Sequence, residues 1–579
     1  MKLRRALMGL LVAAVLGMSL TVQAAGGDPL IAKPGVAIVA TEAGKLQGFI
    51  HNGIFTYRGV PYAKAERFMP PAKVEPWSGI RTALAYGCIS PMIMGDSVAA
   101  DEFFNAHRYW PQNDNCQNLN VWTPGIADGQ KRPVMVWIHG GGFTNGSSIE
   151  QYAYDGENLS KKGNVVVVSI NHRLNVVGFL DLSAYGEKYK YSGNVGIMDL
   201  VAALSWIKAN IAQFGGDPDN VTIFGQSGGG AKVLTLMAIP AAKGLFQKAI
   251  VESGASASRF AYSGEPLTIY HETIPRNDGS TRYLGYKFND LKASRRIAEL
   301  TLQGLGISPD RVDQLQTIPY NQLIEAANQA LAQTVREQTV KGPFGVNVSI
   351  AWGPVMDGTY IPVQAANQTF AAQAKDIPLL IGSTLAEQNT IQSTDPAKLE
   401  ADNKNDWSPA RVQTRLEQRY GANAAAVGKA FREAYPEKQA ADACFVDPLQ
   451  RIGTLITAKL KADQGGAPVY NYVFAWESPV LGGIAMSYHC SEIPFVFDNI
   501  NLAETATGGG KAAYALADKV SQAWINFARN GNPNHQGLPF WPAYTRDSGA
   551  TMIFDSTCVV GKSHDSELIS LLVPDYARF

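Results

Sequence analysis

Gly225-Gln226-Ser227-Gly228-Gly229 matches G-x-S-x-G, the pattern of a serine presented on a sharp strand-to-helix turn. Glycines suit that turn because its backbone is strained and neighbouring chains pass too close for side chains. Alone the pattern is weak, since about 0.3 chance matches are expected in a chain of this size. Its setting strengthens it. Asn220-Val221-Thr222-Ile223-Phe224 precedes it as a strand-like run, and Ala231-Lys232-Val233-Leu234 follows as an apolar helix pattern. That order exposes the hydroxyl at the carboxyl edge of a sheet. A second run, His139-Gly140-Gly141-Gly142-Phe143, follows the apolar stretch Val134–Ile138. Its chance expectation is lower, on the order of 0.01. Successive glycines leave bare amides free to meet a developing oxyanion, and those of Gly141, Gly142 and Gly228 are the expected donors. A serine beside such donors points to nucleophilic acyl transfer.

Such a serine needs a base, and the base an acid; behind an elbow of this kind the chain order is Ser, acid, His. Four of the eight histidines follow Ser227: His271, His489, His535 and His564. His271 comes before any later strand could supply an acid. His535 sits in the turn-like Gly531-Asn532-Pro533-Asn534 stretch, and His564 in the polar Gly561-Lys562-Ser563 stretch, where it reads as a solvated surface residue. His489 adjoins the apolar run Ile493-Pro494-Phe495-Val496-Phe497, which can anchor it. Glu387 is the first carboxylate after the strand-like Ile377–Ile381 run, whereas Asp357 in Met356-Asp357-Gly358 precedes that run and reads as a turn residue. The expected triad is Ser227, Glu387 and His489.

The elements that must position these groups are legible as short runs apolar on both faces. Pro133–Ile138, Asn164–Ile170, Asn220–Phe224 and Ile377–Ile381 suit strands in the middle of a parallel sheet. Between the second and third, Leu200, Ala203, Leu204, Ile207 and Ile211 fall on one helical face, and Gly215-Gly216-Asp217-Pro218 ends that helix. Strand, helix, strand makes a βαβ unit and an α/β class. Length alone, 579 residues, would suggest several domains. The candidate groups run from Gly141 to His489 and must converge, so residues 25–579 are expected to form a single catalytic domain. A polar, helical insertion at about 256–340 is expected above the sheet.

Hydrophobic residues make up 46% of the chain and charged residues 17%, as in a globular protein with a large core. Fifty basic and fifty acidic residues cancel, which argues against nucleic acid or anionic membranes as partners. Lys2, Arg4 and Arg5, the apolar run Ala6–Leu20 and Val22-Gln23-Ala24 read as a signal peptide over residues 1–24. Export to a periplasm or the medium is therefore expected, and no later stretch reads as a membrane span. Of five cysteines, Cys88 and Cys116 are the expected disulfide, since they enclose a short segment between structured stretches. No C-x-x-C or H-x-x-x-H cluster suggests a metal site, and the chemistry requires no cofactor.

With these residues in place the chain resembles the type-B carboxylesterase and cholinesterase-like family of α/β-hydrolases, in particular its bacterial para-nitrobenzyl-esterase-like members. Tyr57-Arg58-Gly59-Val60-Pro61-Tyr62-Ala63, Asn115-Cys116-Gln117-Asn118-Leu119-Asn120-Val121, Phe214-Gly215-Gly216-Asp217-Pro218 and Phe527-Ala528-Arg529-Asn530-Gly531-Asn532-Pro533 carry the resemblance. It implies an α/β-hydrolase fold, a central mostly parallel sheet flanked by helices with helical insertions over the active site. By motif position the family's acid falls on Glu387 and its histidine on His489, and its N-terminal disulfide loop on Cys88 and Cys116. The implied activity is carboxylic ester hydrolysis through an acyl-enzyme, with Phe143, Gln226, Trp110 and Tyr109 lining or covering the pocket. Lipase, aryl- or feruloyl-type esterase and non-catalytic adhesion homologue are the alternatives. The chain departs from the family pattern at Gln226, usually Glu, at Asp114-Asn115, at Gln388 and at Cys490. A missing carboxylate at position 226, with zero net charge, favours a neutral small-molecule ester.

Overall fold

The β-branched runs become the middle of one eleven-stranded sheet in a computed structural model. It describes residues 29–93, 95, 102–255, 274–275, 281–282, 291–337, 350–362, 370–387 and 401–573. The strands are β1 (Phe49–His51), β2 (Ile54–Pro61), β3 (Asn118–Thr123), β4 (Arg132–Ile138), β5 (Val166–Ile170), β6 (Gly216–Gln226) and β7 (Lys248–Glu252). They continue as β8 (Leu379–Thr384), β9 (Val469–Phe474), β10 (Ala550–Phe554) and β11 (Val559–Lys562). Across the sheet the order is β1-β2-β3-β5-β4-β6-β7-β8-β9-β10-β11. The seven strands from β5 to β10 run parallel, and the edges are antiparallel. Every residue of β5, β7, β8 and β9 is buried, as strands covered on both faces must be.

Helix α1 (Val195–Asn210) covers the sheet through Leu200, Ala203, Leu204 and Ile207. It tightens into a 3-10 turn over Ile211–Phe214 and stops where Gly215 takes the left-handed conformation at φ +73°. Asp217 and Pro218 already belong to β6. The helical stretch Glu187–Phe214 is, among the described residues, long and apolar enough to cross a membrane, which differs from the expectation that no such stretch exists. Its composition follows from burial, since 56% of its apolar window is inside the fold. Helix α2 (Gly228–Ala238), wholly buried, follows β6. On the other face lies α3 (Lys511–Asn530), whose Leu516, Val520, Trp524 and Phe527 pack with β9 and β10 through Tyr472 and Phe554.

Part of the expected insertion is helical: Leu291–Gly304 and Tyr320–Glu337 pair with each other. The expected leader, residues 1–24, lies outside the described residues, as does His271. The expected Cys88–Cys116 disulfide is absent, and all five cysteines are free thiols. The two main chains do approach, because Asn118 Nδ2 donates to both the Cys88 and Cys116 carbonyls, at 2.7 and 3.0 Å. The Cys116 thiol instead points into a buried polar niche, hydrogen-bonded to Ser90 and close to Asp199 and Arg173. Burial there pushes it far above the usual thiol range.

Candidate active site

Ser227 stands at the junction of β6 and α2 with φ +56° and ψ −122°, a backbone conformation costly for a residue with a Cβ. Its N–H donates to the Glu252 carbonyl at the end of β7 (2.8 Å), and its carbonyl accepts from Ala231 N–H (3.0 Å). The elbow's glycines answer to close approach. A Cβ on Gly229 would sit 2.0 Å from the Ile138 carbonyl oxygen, and one on Gly228 would sit 2.4 Å from the Gly142 nitrogen. The glycine run after β4 therefore lies directly against the serine turn. Gly141 and Gly142 both have positive φ, +72° and +62°, and the Gly141 carbonyl closes the turn by accepting from Thr144 and Asn145.

Glu387 lies in the loop after β8, and His489 in the loop after β9. Ala386 N–H donates to the Ser487 carbonyl and ties the two loops together at 3.1 Å. The Glu387 carboxylate accepts Thr384 N–H at 2.8 Å through one oxygen and pairs with His489 Nδ1 through the other. Its side chain is fully shielded from solvent. Burial opposes charge on His489, but the adjoining Cys490 and Glu387 outweigh it and raise its pKa, favouring the imidazolium that forms when the ring accepts a proton. Burial pushes the Cys490 thiol up. The Gln226 amide nitrogen lies 3.3 Å from His489 Nδ1, and Cys490 Sγ donates to Gln226 Oε1 at 3.1 Å. The two departures at 226 and 490 thus touch each other.

The other expected residues are placed as follows. Asp357 is a turn residue, accepting Thr359 and Ile361 N–H and the Asn194 amide. His535 accompanies the Lys519 carbonyl at 3.0 Å in its turn. His564 differs from its expected surface role. Its side chain is only 10% exposed, edge-on to Tyr435 and beside Asp565, and burial lowers its pKa. Phe143 is buried edge-on against Phe179 under the glycine run, while Trp110 and Tyr109 are exposed, Trp110 edge-on to Tyr86.

Two acids escaped the sequence reading. Glu252 ends β7 directly beside Gln226 in the sheet register, is fully buried, and accepts Trp524 Nε1–H at 2.7 Å. Burial pushes its carboxyl up to about 8, against the indole hydrogen bond. Glu492 is likewise raised, by burial first and then by Glu387 and Glu252. The signal for Glu252 was available as an acid closing the apolar run Ala249-Ile250-Val251, but its burial depends on Trp524, far along the chain. Among the described residues no cluster of His, Cys, Asp and Glu could hold a metal ion.

The chain is similar to known ester hydrolases over most of its length. The pattern of the carboxylesterase family matches residues 35–568. The para-nitrobenzyl esterase of Bacillus subtilis (strain 168) is 33% identical over 549 residues, covering 93% of this chain and 98% of the relative. Phenmedipham hydrolase of Pseudarthrobacter oxydans is 31% identical, covering 89% of this chain and 94% of the relative. Among solved structures, an esterase from Clostridium hathewayi, described as able to hydrolyse aliphatic aromatic polyesters, aligns with a TM-score of 0.80. It is 38% identical and covers 93% of this chain and 98% of its own. A Geobacillus stearothermophilus carboxylesterase aligns at 0.66 with 33% identity, covering 93% and 100%. A serine elbow on a mostly parallel sheet, matched over nearly its whole length by ester hydrolases, places the chain in the carboxylesterase family, as a carboxylic ester hydrolase of the α/β-hydrolase fold.

Proposed function

We propose that Ser227, His489 and Glu387 act as a triad that cleaves neutral carboxylic esters through an acyl-enzyme. The observation that carries this is the pairing of buried Glu387 with His489 Nδ1, beside a serine on a strained elbow. With Nδ1 committed to Glu387, Nε2 is left to take the Ser227 proton as the hydroxyl attacks the ester carbonyl. The amides of Gly141, Gly142 and Gly228 receive the oxyanion. His489 then protonates the leaving alcohol, and water repeats the sequence on the acyl-enzyme. A neutral Gln226 next to the nucleophile supports an uncharged substrate over a quaternary ammonium ester. The basic N-terminus followed by an apolar run supports export, to a periplasm or the medium.

The wild-type protein should be labelled stoichiometrically by an organophosphate and should hydrolyse p-nitrophenyl esters, and Ser227→Ala should abolish both. A folded wild type inert toward the whole ester series would defeat this reading.

Aromatic esters are a second reading, favoured by aromatic side chains that lead from the His489 loop to the surface. Tyr488, next to His489, packs edge-on against Phe104, which packs against exposed Phe103, with Tyr109 and Tyr152 also exposed. Replacing Phe103, Tyr109 and Tyr152 together by Ala should slow release of product from an aliphatic-aromatic polyester film several-fold and leave p-nitrophenyl acetate hydrolysis intact. Equal loss on both substrates would count against this reading.

A further inference from the structure

Lys232 follows the nucleophile on α2, and its side chain is fully buried. Withdrawing a lysine from water is costly, so its partners matter. Its Nζ is spent on main-chain oxygens: the His139 carbonyl at 3.0 Å and the Gly140 carbonyl at 3.3 Å. It also lies 5.6 Å from the centre of the Phe143 ring. Every one of these acceptors and contacts belongs to the glycine run after β4, on its core side.

The Gly140 carbonyl and the Gly141 N–H belong to one planar trans peptide, so they point in opposite directions. Whatever holds that oxygen from below aims that N–H at the opposite side. Donation to the oxygen also polarises the amide and strengthens its N–H as a donor. Lys232 has help, since His139 Nδ1 lies 3.1 Å from the same Gly140 oxygen. Burial first, and then Lys232, hold His139 neutral, so that it donates through Nδ1–H. His172 stacks on it with ring centres 4.9 Å apart and is kept neutral in the same way. Burial pushes the Lys232 ammonium down to about 7, with Glu150 opposing, and a lysine donates hydrogen bonds in either protonation state.

We propose that Lys232 is a positioning residue of the oxyanion hole, holding the His139 and Gly140 carbonyls from the core side so that the Gly141 amide faces and polarises the substrate oxyanion. This rests on the reading of Gly141 as an oxyanion donor in ester hydrolysis. A lysine placed only to satisfy two buried carbonyls would stabilise the fold and leave the reaction alone.

The two roles separate in Lys232→Met and Lys232→Gln, the second keeping a shorter, neutral donor and carrying the comparison if the first does not fold. Turnover of p-nitrophenyl acetate, per site titrated with organophosphate, is measured beside inhibition by an aryl trifluoromethyl ketone, whose hemiketal mimics the tetrahedral intermediate. The expected result for Lys232→Met is a kcat lowered roughly 10- to 100-fold, KM within about two-fold, and ketone affinity weakened by the same factor as kcat. Lys232→Gln should recover part of both. A folded variant that keeps wild-type kcat and ketone affinity while only its melting temperature falls overturns the proposal. A wild type that is neither labelled nor active removes the esterase reading itself, an outcome visible before any variant is made.

Discussion

Gln226 places a neutral amide between His489 and the Cys490 thiol, 3.3 and 3.1 Å away. A carboxylate at that position would add negative charge beside the imidazole and favour its protonated form. Gln226→Glu should therefore move the acidic limb of kcat/KM to higher pH, by about one unit. The measurement is a pH–rate profile of both proteins on a neutral ester; superimposable limbs would show that the residue at 226 does not communicate with the base. Ser227, Glu387 and His489 were legible because glycine motifs and chain order constrain them. Lys232 and Glu252 were not, for a shared physical reason. Each reads as an ordinary charged residue until packing supplies its surroundings, the carbonyls of residues 139 and 140 for one and the Trp524 indole for the other.

At the scale of elements, β4, β6 and α2 are fitted so closely that the serine turn has no spare volume. Gly229→Ala would force a methyl to within 2.0 Å of the Ile138 oxygen, so β6 and α2 must part from β4. Overpacking of this kind costs about 1–3 kcal/mol, and the displaced Ser227 should lose well over ten-fold in kcat. Urea unfolding read together with ester turnover checks both, and a stable, fully active variant would refute the tight fit. Strands β4, β5, β6 and β8 and helix α1 were readable from apolar runs and a helical stripe. The antiparallel edge strands carried no comparable signal, since their pairing is set by partners distant in sequence. The same limit applies to Cys88 and Cys116. Spacing brought them together as a pair, but the surroundings of the Cys116 thiol depend on Ser90, Asp199 and Arg173.

For the whole molecule, a proton stored under the site makes stability depend on pH. Glu252 has its carboxyl pushed up to about 8, against 4.5 for an ordinary glutamate. Between those values the folded protein keeps a proton that the unfolded chain has released, so this contribution is full at low pH and is lost as pH rises through about 8. The neutral buried His139 and His172 act in the opposite sense at lower pH, so the group is isolated by a difference. The melting temperature of Glu252→Gln minus that of wild type should climb between about pH 5 and about pH 9. A flat difference would mean that Glu252 ionises as freely in the fold as outside it.

Polar side chains fasten the N-terminal segment to the sheet and to helix α1. Buried Arg173 binds both oxygens of Asp199 and also the carbonyls of Glu66 and Met69, while Asn118 clasps the backbones of the two neighbouring cysteines. These bonds join the segment around Glu66 and Met69 to the Arg173 turn and to Asp199 on helix α1. Removing either Arg173 or Asp199 would leave a buried charge unpaired, so this segment, the Arg173 turn and helix α1 hold or loosen as one unit.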